Sequence, residues 1–326
     1  MNLIKKYNKV ELVGYFYILQ FILKIIYNSK NYYNIIKRIL WIKIKNTSYI
    51  KKEISNKQNE IVNDILQGFR NEITGLKLYR EIPNIGLEPL EIENQFKQMV
   101  IKRSVDYEKG KVSGATYSKN EDLDNMICKL FKYFNKSNPL HTNLYPSIRK
   151  MENECVSFMI KLFQGNKDTC GIFTSGGTES IMMACKTYRD LGRVKGISEP
   201  EMIVSNTVHC AFNKACKYFD IKLVMIPCLD NGEFDTEKLI KNINENTILI
   251  VGSIPSYNLG IIDPIDKLNI IALKYKIPLH LDACIGNFLI NFTDLGYDFS
   301  LDGVTSISAD FHKYGQTPKG ASSILY

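Results

Sequence analysis

From about Ser113 to Tyr326 short apolar runs alternate with amphipathic stretches, and this alternation constrains the fold more than any other feature of the chain. A helix over Ile148–Phe163 is followed by GIFTSGG, a strand and tight turn, and then by a helix over Thr178–Leu191. Next come MIVSN, a helix over Ala211–Phe219, KLVMIPC, a helix over Thr236–Ile243, TILIVGS, a helix over Ile265–Tyr275, IPLHLDA, VTSISA and ASSILY. Strands separated by helices of roughly 10–15 residues imply βαβ crossovers. The expected class is α/β, a mainly parallel sheet flanked by helices, with ligands at the carboxyl ends of the strands.

Charge divides the chain differently. The net charge is +8, but residues 1–52 hold eleven Lys/Arg against Glu11 alone, so the remainder is slightly acidic. A nearly neutral body argues against a general nucleic-acid surface. Within the basic segment, 1–49, the run from Leu12 to Tyr27 is a candidate membrane helix. It is short for a span of roughly 20 residues and is interrupted by Gln20 and Lys24. The Lys/Arg that follow it place the body on the cytoplasmic side. Residues 50–112 read as a helical arm or linker and 113–326 as the large domain. Eight cysteines occur without a CxxC pair or zinc-like spacing and read as reduced, mostly buried thiols. A cytosolic setting leaves the sequons at Asn46, Asn135 and Asn291 unused.

Four groups of residues fall at strand ends. Thr174 to Ser180 is a glycine turn opening a helix. Gly176 and Gly177 admit a ligand close to the backbone, and the free amides and Thr178 suit a phosphate. Asp282 ends an apolar strand, where a carboxylate needs a cation or a protonated ligand nitrogen. Lys313, beside His312 and after the strand VTSIS, suits a Schiff-base nucleophile with a pKa lowered by its surroundings. His209 opens a helix after a strand. Singly, these read equally as a capped turn, a structural ion pair, a surface lysine and a helix cap. Together they are the parts needed to hold pyridoxal phosphate, with no metal required.

The stretches KVSGATY (111–117), NPLHTNLYPSIRKMENE (138–154), FTSGGTESIMMACKTYRD (173–190), HCAFNKA (209–215), YKIPLHLDACIGNF (275–288) and GVTSISADFHKYGQTPKG (303–320) carry a resemblance. The chain resembles the pyridoxal-phosphate-dependent group II decarboxylase superfamily and, within it, the sphingosine-1-phosphate lyases. That resemblance implies a fold type I pyridoxal-phosphate enzyme. Lys313 would form the Schiff base, Asp282 would pair with the pyridine nitrogen, and His209 would stack on the ring. Gly177, Thr178 and His312 would hold the cofactor phosphate. Tyr117, His141 and Lys319 would line the substrate pocket, binding substrate phosphate or assisting proton transfer. The family usually has a small hydroxyl residue where this chain has Phe311, and glycine at Asn287. The bulk of Phe311 either crowds the cofactor phosphate or turns away from it.

The same resemblance implies cleavage of a phosphorylated sphingoid base to a long-chain aldehyde and phosphoethanolamine. It also implies a homodimer, single-pass in the endoplasmic reticulum membrane, with its catalytic domain facing the cytosol. An amino-acid decarboxylase is the rival within the superfamily and would need a carboxylate-binding arginine. The other rival is an inactive membrane-anchored fragment, because the family continues beyond the strand ASSILY into a small C-terminal domain.

Overall fold

The computed structural model describes residues 46–77, 79–101, 109–112 and 114–326, together with Leu40, Trp41 and Ile44. The candidate membrane helix at 12–27 lies outside the described residues. These fall into two compact units, one ending by residue 106 and the other beginning at 107. The first contains α1 (Ser48–Ile73) and α2 (Pro89–Ile101). On α1, Ile61, Ile65 and Phe69 recur every fourth residue and are exposed. Among the described residues no helix is long and apolar enough to cross a membrane.

The second unit opens with α3 (Glu121–Phe134), a helix that the sequence reading passed over. Its start is fixed by Asn120, whose side chain accepts from the Leu123 amide, and by three acids in the first turn, which favour the positive end of the helix. The alternating series follows: α4 (Pro146–Leu162), β1 (Gly171–Thr174), α5 (Gly177–Val194), β2 (Glu201–Ser205), α6 (Cys210–Phe219), β3 (Lys222–Ile226), α7 (Thr236–Asn242), β4 (Thr247–Ser253), α8 (Ile265–Tyr275), β5 (Leu279–Asp282), the single turn α9 (Asn287–Ile290), β6 (Val304–Asp310) and β7 (Ser322–Leu325). Pro146 stands at the start of α4, where its missing amide costs no hydrogen bond.

The strands form one seven-stranded sheet in the order β1-β7-β6-β5-β4-β2-β3. From β6 to β3 every pairing is parallel. β7 runs antiparallel to both β6 and β1. The expected mainly parallel sheet is thus present with one reversed strand. Residues 311–321, which join β6 to β7, are too few for a helical crossover, so the chain turns straight back. Because β7 is antiparallel to both neighbours, β1 and β6 point the same way. The carboxyl ends of β1, β4, β5 and β6 therefore share one edge of the sheet.

Helices cover both faces. In β2, Ile203 joins one core cluster while Met202 and Val204 join the other; β4 divides likewise at Ile250 against Leu249 and Val251. Strands buried on both faces read as continuous apolar runs, which is why β2 and β4 were legible. The first cluster contains Met159, Phe163 and Phe234, and the second Ile181, Tyr188 and Phe212. Burial of each such large side chain contributes about 1.5–3 kcal/mol. All eight cysteines are free thiols, but only Cys185, Cys216 and Cys284 are buried, so the expectation of mostly buried thiols is corrected.

Candidate active site

At the shared strand edge lies a cavity of about 410 Å³ whose wall includes Ser175, Gly176, Gly177, Thr178, His209, Asp282, Cys284, Asp310, His312 and Lys313. Its upper rim is the start of α5. The Glu179 and Ser180 amides both return to Gly176 O, leaving the Gly177 and Thr178 amides at the helix end without a partner inside the helix. Glu179 Oε2 accepts from Ser175 Oγ and from the Ser175 amide, each at 2.6 Å. These bonds, the side-chain one foremost, hold the Glu179 carboxyl below its ordinary pKa and pin the turn. Gly176 has φ +150°, and a Cβ at Gly177 would lie 2.8–2.9 Å from the Asp310 carboxylate oxygens and from Cys284 Sγ. Glycine at 177 therefore lets the turn lie directly on the acid and the thiol below it.

The floor is ionic. Asp282 is buried and accepts from the Cys284 amide at 3.1 Å and from Ser308 Oγ at 3.4 Å. Lys313 Nζ lies 2.7 Å from Asp310 Oδ2, and His312 Nε2 lies 3.6 Å from the same oxygen. Asp310 Oδ1 is buried with no hydrogen-bond partner among the described residues. The lowered lysine pKa expected from the sequence is not what the site contains. Burial acts to lower it, but anionic neighbours outweigh burial and the net direction is upward. Burial pushes the Cys284 thiol well up, so Cys284 stays neutral, and the carboxylates of Asp310 and Asp282 supply the attraction.

His209 is both a cap and part of the cavity wall. It is the N-cap of α6, with Nδ1 accepting from the Ala211 amide at 3.2 Å, and its ring meets Tyr257 edge-on at 5.0 Å. His312 is tied through Nδ1 to the backbone of Ala321, 2.7 Å from the carbonyl oxygen. A second cavity of about 360 Å³ shares His312 and Lys313 with the first and adds Tyr117 and Lys319. Lys319 Nζ sits 4.5 Å from the Tyr117 ring centroid, and Tyr117 Oη donates to Gly114 O. Burial, followed by the charge of Lys313, lowers the Lys319 pKa. His141 stays exposed and lines neither cavity.

Phe311 turns away. It is buried, stacks on Phe173 at 5.3 Å and tilts against Phe288 at 6.4 Å, and it is absent from the cavity wall. Asn287 is fully buried beneath the lysine segment, donating from Nδ2 to Asp310 O at 2.6 Å. Asp310, Cys284 and Ser308 were given no role from the sequence, and Asn287 was marked only as a departure from the family's glycine. A period-two pattern of polar residues in two buried strands, His280 and Asp282 on β5 with Ser306, Ser308 and Asp310 on β6, was the available signal.

The pyridoxal-dependent decarboxylase conserved domain matches residues 78–326. An α/β sheet of this order, with lysine, acid and glycine turn converging on one strand edge, belongs with that match, and the chain is a member of the pyridoxal-dependent decarboxylase family. Its relatives include lyases. Sphingosine-1-phosphate lyase 1 of Rattus norvegicus is 38% identical over 310 residues, covering 93% of this chain and 54% of that protein. Sphingosine-1-phosphate lyase of Saccharomyces cerevisiae is 38% identical over 291 residues, 85% of this chain and 48% of that protein. The solved sphingosine-1-phosphate lyase of Burkholderia pseudomallei matches with a TM-score of 0.74 at 31% identity, covering 78% of this chain and 62% of that one. The chain spans about half the length of the curated relatives it matches. The resemblance drawn from the motifs is borne out.

Pyridoxal phosphate is the cofactor of this family, and the residues present fit it. The cavity wall holds three carboxylates, Glu179, Asp282 and Asp310, against one lysine, one oxygen of Asp310 lacks a partner among the described residues, and the helix end above it offers amides where a side chain at Gly177 would block access.

Proposed function

We propose that the protein is a carbon–carbon lyase acting on phosphorylated sphingoid bases such as sphingosine 1-phosphate. The observation that carries this reading is the convergence of Lys313, Asp282, His209, Gly177, Thr178 and His312 on one cavity, next to a second that holds Tyr117 and Lys319. The Gly177 and Thr178 amides, with His312, would hold the cofactor phosphate, His209 would stack on the ring, and Asp282 would pair with its nitrogen. When bound, pyridoxal phosphate supplies an electron sink for the pair left on carbon as a bond breaks. Lys313 is the attachment point, and the proton it must shed before acting as a nucleophile is shared with Asp310 Oδ2.

In the reaction the substrate C3 hydroxyl loses its proton, the C2–C3 bond breaks, a long-chain aldehyde leaves, and C2 regains a proton to give phosphoethanolamine. Tyr117 would assist proton transfer at that hydroxyl, and cationic Lys319 would bind the substrate phosphate. A third cavity of about 850 Å³, with Ile254, Ile262, Ile285, Leu289 and Tyr314 in its wall, also reaches Tyr117 and suits the hydrocarbon chain. Among the described residues neither of the smaller cavities has an arginine in its wall, whereas a lysine, Lys319, lines the second, and this favours a phosphate-bearing substrate over an amino-acid carboxylate.

A homodimer is supported by the exposed apolar stripe of α1. A lipid substrate and the basic segment 1–49 favour a membrane setting, specifically the cytosolic face of the endoplasmic reticulum. Flotation with anionic vesicles tests this, and protein left at the bottom of the gradient refutes it.

Reconstitution with pyridoxal phosphate is expected to give a visible absorbance band that Lys313→Ala abolishes, and aldehyde release from sphingosine 1-phosphate is expected from the wild type alone. Identical spectra for wild type and variant would refute the enzyme reading in favour of an inactive fragment.

A further inference from the structure

We infer that His280 is a positioning residue for Asp282, acting through a buried chain of hydroxyls that ends on the carboxylate and keeps a proton on the cofactor ring nitrogen. The inference rests on the proposed placement of that nitrogen against Asp282. β5 and β6 pair in parallel with His280 opposite Ser306 and Asp282 opposite Ser308, so two polar rows face each other inside an otherwise apolar sheet. Tyr188 Oη donates to Ser306 Oγ at 2.8 Å, and Ser306 Oγ lies 2.7 Å from His280 Nδ1. His280 Nε2 lies 3.2 Å from Ser308 Oγ, which donates to Asp282 Oδ1 at 3.4 Å.

One direction of donation satisfies every link. With Thr305 Oγ1, 2.6 Å away, donating to Tyr188 Oη and Tyr188 donating to Ser306, the Ser306 hydroxyl hydrogen is left for His280 Nδ1. That nitrogen is then bare, so the imidazole proton sits on Nε2 and is given to Ser308. The Ser308 hydrogen in turn reaches Asp282. A run of hydrogen bonds aligned in one sense polarises along its length, and its end here is an anion. A hydroxyl donated to the carboxylate favours its charged form, the form that would hold a proton on a ring nitrogen set against it.

The chain works only if His280 stays uncharged, since an imidazolium would repel a protonated ring from the same side. Burial holds the His280 pKa down, at about 4, although Asp282 pulls the other way. The other groups against it are the Phe212 ring of α6, edge-on at 5.9 Å, and the Cys284 thiol, which meets Ser308 Oγ at 3.4 Å and stays protonated. Tyr188 keeps its proton as well, burial having pushed its pKa up to about 12. The charges beyond Asp282 are Asp263, Asp310 and Lys313.

The test is ¹⁵N NMR of protein reconstituted with ring-¹⁵N pyridoxal phosphate. The wild type is expected to show a protonated ring nitrogen. In His280→Phe and in Ser306→Ala the signal is expected to move downfield toward the unprotonated position. If His280→Phe does not fold, Ser306→Ala and Tyr188→Phe, which keep the imidazole and the ring, decide the matter. A wild-type signal left unmoved by the variants that fold overturns the chain while the cofactor reading stands. No cofactor band in the wild type overturns both. In the cofactor-free protein His280 is expected to remain the neutral Nε2–H tautomer down to about pH 5, and an imidazolium at pH 7 overturns the proposal by itself.

Discussion

Lys313 Nζ and Asp310 Oδ2 stand 2.7 Å apart, joining an amine that is 18% exposed to a carboxylate that is 2% exposed. Two residues, Phe311 and His312, separate them, across the end of β6 and the turn that follows. The pair holds Lys313 at the mouth of the cavity in its charged form, so the carboxylate partner governs both where the amine points and how readily it loses a proton.

Asp310→Asn is expected to destabilise the protein by about 3 kcal/mol, because it leaves a mostly buried ammonium unpaired. It should also lower the Lys313 pKa, since burial is then opposed by less negative charge. The folded pKa of Lys313 is raised, so the stabilisation is fully present below the ordinary value of 10.5 and is lost as pH climbs through the higher folded value. Urea titrations at pH 7 and pH 11 check this. The gap between wild type and variant should narrow at the alkaline end, and an equal gap at both would contradict it.

Gly177→Ala places a methyl group within 2.8–2.9 Å of the Asp310 oxygens and Cys284 Sγ. Overpacking of this kind costs about 1–3 kcal/mol. Cofactor affinity, followed by fluorescence titration, is expected to fall at least tenfold, more than for Thr178→Ala. Equal losses for the two would mean that close backbone approach at 177 is not what the site requires.

Asp263 offers a pH effect independent of the cofactor. It is buried below the end of β4, accepts from the Ser253 amide through Oδ2, and has no partner for Oδ1. Burial, helped by Glu233 and Asp282, raises its pKa from 3.8 to about 6 against the pull of the Ser253 and Phe234 amides. The protonated carboxyl is the form the fold prefers. Its stabilising effect is complete below 3.8, declines as pH rises to about 6 and is absent above that. Asp263→Asn is therefore expected to be more stable than wild type at pH 8, by at most about 3 kcal/mol, and to lose this decline. Melting curves between pH 3.5 and 8 measure it; a variant less stable at pH 8 would contradict the expectation.

Phe311→Ser is expected to cost about 3–5 kcal/mol, in line with removal of a buried aromatic ring. It should leave cofactor affinity nearly unchanged in the protein that remains folded, since the ring packs on Phe173 and Phe288 away from the cavity. Tighter cofactor binding in the variant would show that Phe311 does crowd the site.

Most of the α/β body was legible because its signals are local. The helix over Ile265–Tyr275 was placed to the residue, and the strands were marked by apolar runs bounded by turns. The cavity residues Lys313, Asp282, His209 and Gly177 were legible because each stands where a strand passes into a loop or helix. What escaped depended on pairing across the sheet. Asp310 gains meaning only from its position beside Lys313 and under Gly177, and His280 only from the register that sets it against Ser306 and Ser308. The net direction of the Lys313 pKa was misjudged for the same reason, since burial could be anticipated and the carboxylate could not. The reversal of β7 was hidden in the shortness of a connection.

That reversed strand also dictates the order in which the site can be assembled. β7 lies between β1 and β6, with Gly171 opposite Leu325 and Ile307 opposite Leu325 from the other side. A chain emerging from the ribosome can pair β2 to β6 as each appears, but β1, made before any of them, has no neighbour until residues 322–325 arrive. The glycine turn is thus the earliest part of the cofactor cavity to be synthesised and the last to be fixed in place. Closure waits on the most distant contact in the sheet, the kind that slows folding most, and a nascent chain halted before Ser322 would lack the strand that brings the phosphate cradle to Lys313.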